Sequence, residues 1–207
     1  MKKKKREEKV FIYWDNSNIF HEAQRFFSFR HPRSDVRNRV RIHFKNLYRL
    51  AHADRKVVCA YVAGSVPPDM ESLWEQIQKQ PGIEVAVIDR FARTHSEQDI
   101  PDRILQLHML ENVMDFDPGI AVVLTGDGAG YDEGRGFRRT LERMKKKGWG
   151  IELLSWKHSC DQKMKEWAEK KGIFVALDDF AEQITFVTEV VDSRRASALE
   201  LSKRPRV

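Results

Sequence analysis

The chain has 207 residues, a formal net charge of +6 and two cysteines. This length suits an α/β domain with a sizeable core. Two isolated cysteines exclude a disulfide framework and a zinc knuckle, which favours a reducing, cytoplasmic location. No stretch approaches the roughly 18 apolar residues of a membrane helix, and the basic start lacks the apolar segment of a signal peptide, so we expect no membrane partner.

The positive charge is concentrated at the two ends of the chain. Residues 1–9 and 193–207 each carry a net charge of +4, which leaves −2 for the remainder. We therefore predict a basic tail over 1–9, a domain over 10–190 and a basic tail over 191–207, with both tails disordered at their extremities. Such tails suit a nucleic-acid partner, but plain solvated termini explain them equally well.

The first predicted element is a strand over residues 10–14, VFIYW, which runs into the polar sequence DNSN. A non-alternating apolar run predicts a strand buried on both faces, and helical spacing predicts a helix over 17–27. Ligands of open α/β sheets bind just beyond the carboxyl ends of the strands. Asp15 and Asn18 are therefore candidate functional residues, and the alternative is that Asp15 merely caps the helix.

Arginines and aromatic rings alternate between Arg25 and Arg49, where eight Lys or Arg accompany a single acid. Helical spacing predicts that Phe26, Phe27 and Phe44 face the core. The loop arginines are better placed to contact RNA phosphates, and exposed rings stack on unpaired bases. The arginines predicted to bind RNA are Arg30, Arg33, Arg37 and Arg39.

Strands and helices then alternate to the end of the domain. The predicted strands are 57–63, 83–88, 120–125, 150–155 and 173–177, and the predicted helices are 39–52, 69–79, 101–114, 135–147, 160–171 and 180–188. This alternation predicts an α/β fold of the Rossmann-like kind, with a central parallel sheet of five to six strands and helices on both faces. We expect strand order 3-2-1-4-5, with the sixth strand beyond or at the edge, which makes the strands before Asp15 and Asp127 neighbours.

Two later stretches also bring acids to element ends. VVLTGDGAGYDEG places Asp127 after a buried strand, and its glycines match neither the Walker phosphate loop nor a dinucleotide fingerprint. In SEQDIPDRILQL, Asp99 and Asp102 open a helix, with Pro101 in its first turn. Helix capping and the helix dipole are the alternative explanation, although capping needs only one of these two acids.

Together these stretches resemble the NYN group of PIN-like metal-dependent ribonucleases. The resemblance covers roughly residues 9–180 and lies in FIYWDNSNIF, PDRILQL and VVLTGDGAGY. It implies RNA cleavage at a Mg²⁺ or Mn²⁺ site of convergent aspartates. Asp15, Asp102, Asp127 and Asn18 match the family's catalytic positions, the three aspartates match its metal ligands, and Asp99 and Asp132 are further candidate ligands.

This chain departs from the family pattern at two positions. His108 stands where members often carry another acid in the central helix, and Ala129 stands where they carry a second acid after the Thr-Gly-Asp acid. Asp132 or Glu133 is a candidate replacement. These departures leave open a non-catalytic RNA-binding or partner-binding module on the same fold, and a homo-oligomer is compatible with both functions. A phosphatase-like enzyme is a more remote alternative, because Ser17 stands where it would need a second Asp.

Overall fold

A computed structural model of the protein describes residues 8–30, 35–66, 75, 78–79, 83–89, 100–126, 128–129, 131–188 and 195–207. Its centre is a parallel sheet formed by β1 (Lys9–Asp15), β3 (Lys56–Val66), β4 (Ile83–Asp89), β5 (Ile120–Leu124), β6 (Gly150–Ser155) and β7 (Ile173–Ala176). The strand order is β4-β3-β1-β5-β6-β7. The second to sixth predicted strands are β3 to β7, so the predicted order is confirmed. β1 and β5 are neighbours at the point where the winding reverses.

Helices cover both faces of this sheet, as predicted. They are α1 (Asn16–Arg30), α2 (Phe44–His52), α3 (Ile100–Asp115), α4 (Gly136–Lys146), α5 (Gln162–Lys171) and the short α6 (Ala181–Ile184). Trp14 points to the face covered by α1 and α2, and Tyr13 to the face covered by α3 to α5. The predicted helix over 69–79 lies almost entirely outside the described residues. Within the described part of the chain, each helix is too short or too polar to cross a bilayer.

The predicted core positions of the Arg25–Arg49 region are confirmed. Phe26 and Phe27 are buried on α1, because their spacing places them on the side that packs against the sheet. Phe44 is half-buried, and its ring centroid lies 5.2 Å from that of Trp14. The ring of Phe29, by contrast, is 73% exposed.

Two predicted helices include residues that form strands in the structure. Residues Val40–Ile42, at the start of the helix predicted over 39–52, form strand β2. Residues Thr185–Val187, inside the helix predicted over 180–188, form strand β8. The two strands pair antiparallel in a separate sheet, with Val40 opposite Val187. Their β-branched residues favour extended backbone once a partner strand is present, and that partner lies far away in the sequence.

The C-terminal segment packs against the domain instead of lying free. Arg204 is 4% exposed, and its guanidinium donates to the Leu50 and Ala51 carbonyls of α2 and to the Glu152 carboxylate. The amide of Val207 also donates to Glu152. The prediction of a disordered tail is therefore wrong for residues 195–207, because a buried carboxylate and the open carbonyls at a helix end hold this segment.

Candidate functional site

Polar residues end three neighbouring strands on the same face of the sheet. Asp15 ends β1, Thr125 follows β5 and Ser155 ends β6. The alternation of side chains along each strand points all three toward the face covered by α3 to α5. Asp15 is 5% exposed, and the other two side chains are fully buried. Three polar side chains at a buried sheet edge are costly unless they are hydrogen-bonded or serve a ligand.

The Asp15 carboxylate is held at both oxygens. Its Oδ1 accepts a hydrogen bond from the backbone amide of Asn18 at 3.0 Å, which is a capping bond to helix α1. Its Oδ2 accepts from the Thr125 hydroxyl at 3.1 Å. Asp15 thus fulfils the capping role considered above, and it also makes a contact to the neighbouring strand end that capping does not require.

Asn18 ties α1 to the loop that follows β5. Its Oδ1 accepts from the Gly126 amide at 2.9 Å. A Cβ atom at Gly126 would lie 3.0 Å from Ser155 Oγ and 3.3 Å from Asn18 Oδ1. Glycine therefore permits the close approach of α1, β5 and β6 at this point. The sequence identified Asn18 as a site residue, but only the structure shows that its side chain holds the backbone of the loop.

Asp102 lies in the first turn of α3 and is half-buried. It precedes the buried Leu105 by one turn, and further along the same helix Asn112 donates to Tyr13 Oη at 2.9 Å. A helical rise of 1.5 Å per residue places Asp102 about 15 Å from Asn112 along the helix axis, while Asp15 lies only about 7 Å beyond Tyr13 along its strand. Because α3 ends shortly before β5 begins, its first turn, with Asp102, lies toward the carboxyl ends of the strands.

Two of the remaining predicted acids can be located and two cannot. Asp99 and Asp127 lie outside the described residues. Asp132 is exposed in a turn, and its neighbour Glu133 pairs with Arg135. A role for either acid as a metal ligand stays a prediction.

His108, at the position where the family resemblance led us to expect an acid, belongs to a different cluster. Its ring stacks on Tyr61 with centroids 4.0 Å apart, and its Nδ1 lies 3.1 Å from the Glu111 carboxylate. Burial raises the pKa of Tyr61 to about 12, so that the phenol stays protonated beside this imidazole at neutral pH. His108 is therefore a stacking residue on the face of β3.

Three of the four predicted RNA-binding arginines are among the described residues. The Arg30 guanidinium lies over the Phe26 ring, 4.3 Å from its centroid, and Arg37 is exposed. Arg39 is half-buried, and its carbonyl accepts from the Thr188 amide next to β8. Arg33 lies outside the described residues. Phosphate contact by these four side chains stays a prediction.

Asp161, which the sequence analysis did not single out, lies against the loop after β5. Its amide donates to the Gly126 carbonyl at 3.0 Å, and its Oδ1 caps α5 by accepting from the Met164 amide at 2.7 Å. A Cβ atom at Gly128 would lie 2.4 Å from the Asp161 carboxyl carbon. Asp161 is distant in sequence from both glycines, so the only sequence signal that could have identified it is its position as a helix cap.

The row of polar side chains offers oxygen donors and no soft ligand. Ser155 Oγ is buried beside the Cys160 thiol. Burial raises the pKa of the neighbouring Cys160 thiol to about 11. Oxygen donors suit Mg²⁺ or Mn²⁺. No group of three or more His, Cys, Asp or Glu side chains converges within the described ranges, which omit Asp127.

Comparison with known proteins supports the same assignment of fold. The family model described as the NYN domain matches residues 9–174. No curated protein matches the chain. A crystal structure of a protein of unknown function from Vibrio parahaemolyticus RIMD 2210633 is similar, with a TM-score of 0.57 and 18% identity, over 86% of this chain and 97% of that one. Since the family model spans most of the sequence, the chain belongs to the NYN domain family, whose fold is that of PIN-like nucleases.

Proposed function

We propose that this protein is a metal-dependent ribonuclease that hydrolyses RNA phosphodiester bonds at the sheet edge ended by Asp15. The observation that carries the proposal is the buried Asp15 carboxylate, which Thr125 and Asn18 orient at the junction of β1 and β5. Ligands of doubly wound sheets bind at this type of junction. Membership of the NYN family favours nuclease chemistry at this site over other uses of the fold.

The residues of the chain have distinct roles in this proposal. Asp15, Asp102 and Asp127 hold the cation, with Asp99 and Asp132 as further candidates. A bound Mg²⁺ or Mn²⁺ supplies a nucleophilic water and offsets the charge that develops on the phosphate. Thr125 keeps the Asp15 carboxylate in one orientation. The side-chain oxygen of Asn18 accepts from the Gly126 amide, and its side-chain nitrogen, Nδ2, donates to a phosphate oxygen.

Arg30, Arg33, Arg37 and Arg39 bind the RNA backbone in this proposal. Binding should then weaken as salt rises, because phosphate contacts release counterions. Replacing Arg30, Arg33 and Arg37 with Ala should lower affinity for all sequences alike. A triple variant that keeps wild-type affinity and salt dependence would leave these arginines as a solvated surface.

The direct test of the proposal is a cleavage assay on mixed single-stranded RNA with Mn²⁺, with and without a chelator. Wild type should cleave only without the chelator, and Asp15→Asn should be inactive. Asp117→Asn is a matched control, because it removes the same charge from an exposed position before β5, at the opposite edge of the sheet. Equal activity of Asp15→Asn and wild type would refute the proposal.

A thermal melt tests cation binding separately from cleavage. Mn²⁺ should raise the melting temperature of wild type by mass action and have little effect on Asp127→Asn. Without metal, Asp127→Asn should be as stable as wild type or more so, because one of several crowded charges is removed. An equal response to Mn²⁺ in both proteins would remove Asp127 from the proposed site.

The second candidate is a non-catalytic RNA-binding or partner-binding module. His108 favours it, because this residue replaces a family acid and stacks on Tyr61 instead of facing the Asp15 edge. Such a module should bind RNA with no cleavage under any divalent cation. Both candidates are compatible with a cytoplasmic location, which the free thiols of Cys59 and Cys160 support, and with a homo-oligomer.

A further inference from the structure

Phe29 differs from the other aromatic residues of α1. It is 73% exposed, whereas Phe26 and Phe27 on the same helix are buried. A single exposed apolar side chain is common on protein surfaces and needs no explanation by itself. The surroundings of Phe29 distinguish it from such side chains.

The ring of Phe29 lies beside an imidazole whose position is fixed. The His158 ring meets Phe29 edge-on, with centroids 5.9 Å apart, and it also lies 6.2 Å from Phe26. His158 Nε2 is 3.1 Å from the Glu22 carboxylate, and Glu22 is 7% exposed. A buried carboxylate thus holds the imidazole against the exposed ring, so the aromatic surface is preorganised.

Cationic side chains surround this aromatic surface. The Arg30 guanidinium lies over the Phe26 ring at 4.3 Å. Arg25 pairs with Glu22, the carboxylate that also holds His158, and Lys157, the residue before His158, pairs with Asp179; both cationic side chains are half-exposed. An exposed ring beside guanidinium groups is the arrangement with which proteins stack the bases and follow the backbone of single-stranded nucleic acid.

One short loop, residues 156–161, joins this surface to the candidate active site. His158 contacts Phe29, and the carbonyl of the next residue, Ser159, lies 3.3 Å from the position of a Cβ at Gly126. Helix α1 begins directly after Asp15, and a rise of 1.5 Å per residue places Phe29 about 16 Å beyond Asn18 along its axis. An RNA strand with one phosphate beside Asp15 therefore reaches Phe29 within a few nucleotides.

We propose that Phe29 stacks on an unpaired base of a single-stranded RNA. The phosphate that is cleaved in this RNA lies beside Asp15, at the carboxyl ends of β1 and β5. The bases of a duplex are paired and stacked on each other, so they do not present a free face to this ring. The inference rests on the proposed ribonuclease function and adds the substrate class. Phe29, together with His158 and Arg30, forms the binding subsite.

The test measures RNA binding with a chelator present, so that cleavage does not interfere. The probe is a labelled single-stranded RNA of mixed sequence, followed by fluorescence anisotropy. Stacking contributes about 1–3 kcal/mol per base, so Phe29→Ala should weaken binding roughly 5- to 150-fold. Phe29→Tyr should keep the affinity, and Met114→Ala, which truncates an 83% exposed side chain at the far end of α3, should have no effect.

A second probe separates stacking from phosphate contact. An RNA of the same length with abasic sites keeps every phosphate, so wild type and Phe29→Ala should bind it equally. The inference is overturned if Phe29→Ala binds intact RNA as wild type does, if its loss is equally large with abasic RNA, or if wild type prefers duplex RNA. Absence of cleavage in the separate Mn²⁺ assay, with Phe29-dependent binding retained, refutes the ribonuclease and leaves the base-stacking subsite standing.

Discussion

Two carboxylates buried in the same sheet have different surroundings. Glu152 on β6 is fully buried and accepts from both arms of the Arg55 guanidinium at 2.7 Å and from Arg204 at 2.6 Å. The hydrogen bonds described for Asp15 on β1 include two from neutral groups, the Asn18 backbone amide and the Thr125 hydroxyl. Guanidinium groups cancel the charge of Glu152 inside the fold, whereas neutral donors orient Asp15 at a sheet edge.

The difference is the one we expect between a structural carboxylate and, under the proposed function, a carboxylate that binds a cation. Burial pushes the pKa of Glu152 up, but the bonds from Arg55 and Arg204 outweigh this effect and hold the pKa below its ordinary value of 4.5. Its charge is therefore part of the folded state and serves to join β6, α2 and the C-terminal segment. The orientation of Asp15, by contrast, suits a carboxylate that receives a cation from outside.

The largest expected effect is on stability, at Glu152. Glu152→Gln should lower the free energy of unfolding by about 3–5 kcal/mol, because the buried Arg204 and Arg55 lose their counter-charge. The measurement is urea unfolding. Glu166→Gln on the exposed side of α5 is the matched control and should stay near zero. A loss below about 1 kcal/mol at Glu152 would contradict a structural role and remove the contrast with Asp15.

The next effect is on activity, at Asp15. If Asp15 holds the cation, Asp15→Asn should lower RNA cleavage by about 100-fold or more, since metal coordination supplies several kcal/mol of transition-state stabilisation. Its free energy of unfolding should change by only about 1 kcal/mol, because Asn is also a good helix cap. Kinetic and unfolding measurements on the same preparation check both parts. A variant that unfolds readily would show that Asp15 is structural, as Glu152 is.

The pH dependence of stability tests the assignment of charge to Glu152. Its pKa is lowered in the folded state, so its contribution is fully present above the unfolded pKa near 4.5 and is lost as the pH falls through the lower folded value. The difference in unfolding free energy between wild type and Glu152→Gln should therefore be constant from pH 7 to 5 and narrow below about pH 4.5. If this difference stays constant down to pH 3, the Glu152 side chain is not ionised in the folded protein.

The smallest effect concerns the hydrogen bond between Thr125 and Asp15. Thr125→Val keeps the shape but removes the hydroxyl, which should cost about 1 kcal/mol of stability. Cleavage should fall by less than in Asp15→Asn, because the carboxylate is still present but less well oriented. Thr125→Ser keeps the hydroxyl and serves as control. Identical cleavage by Thr125→Val and wild type would show that this bond does not position Asp15 for catalysis.

The architecture follows from the pattern of apolar residues alone. Runs such as Val10–Trp14 and Ile120–Leu124 are buried on both faces, and such runs form central parallel strands whatever their neighbours are. The strand order and the adjacency of Asp15 to the end of β5 then follow from the handedness and winding rules of such sheets. The family assignment followed from the same strand-end motifs.

The tertiary structure alone decided features that depend on residues far apart in the sequence. β2 and β8 form because each supplies the other's hydrogen bonds, and neither short segment has a periodicity that reveals its partner. Arg204 was read as part of a solvated basic tail, yet it is buried because Glu152 and the open carbonyls of α2 need a donor. Similarly, helical spacing identified Phe26 as core, but the fixed His158 beside Phe29 appears only when the loop after β6 meets α1. Local pattern determines which elements form, whereas long-range contacts decide which side chains are buried together and how their charges are paired.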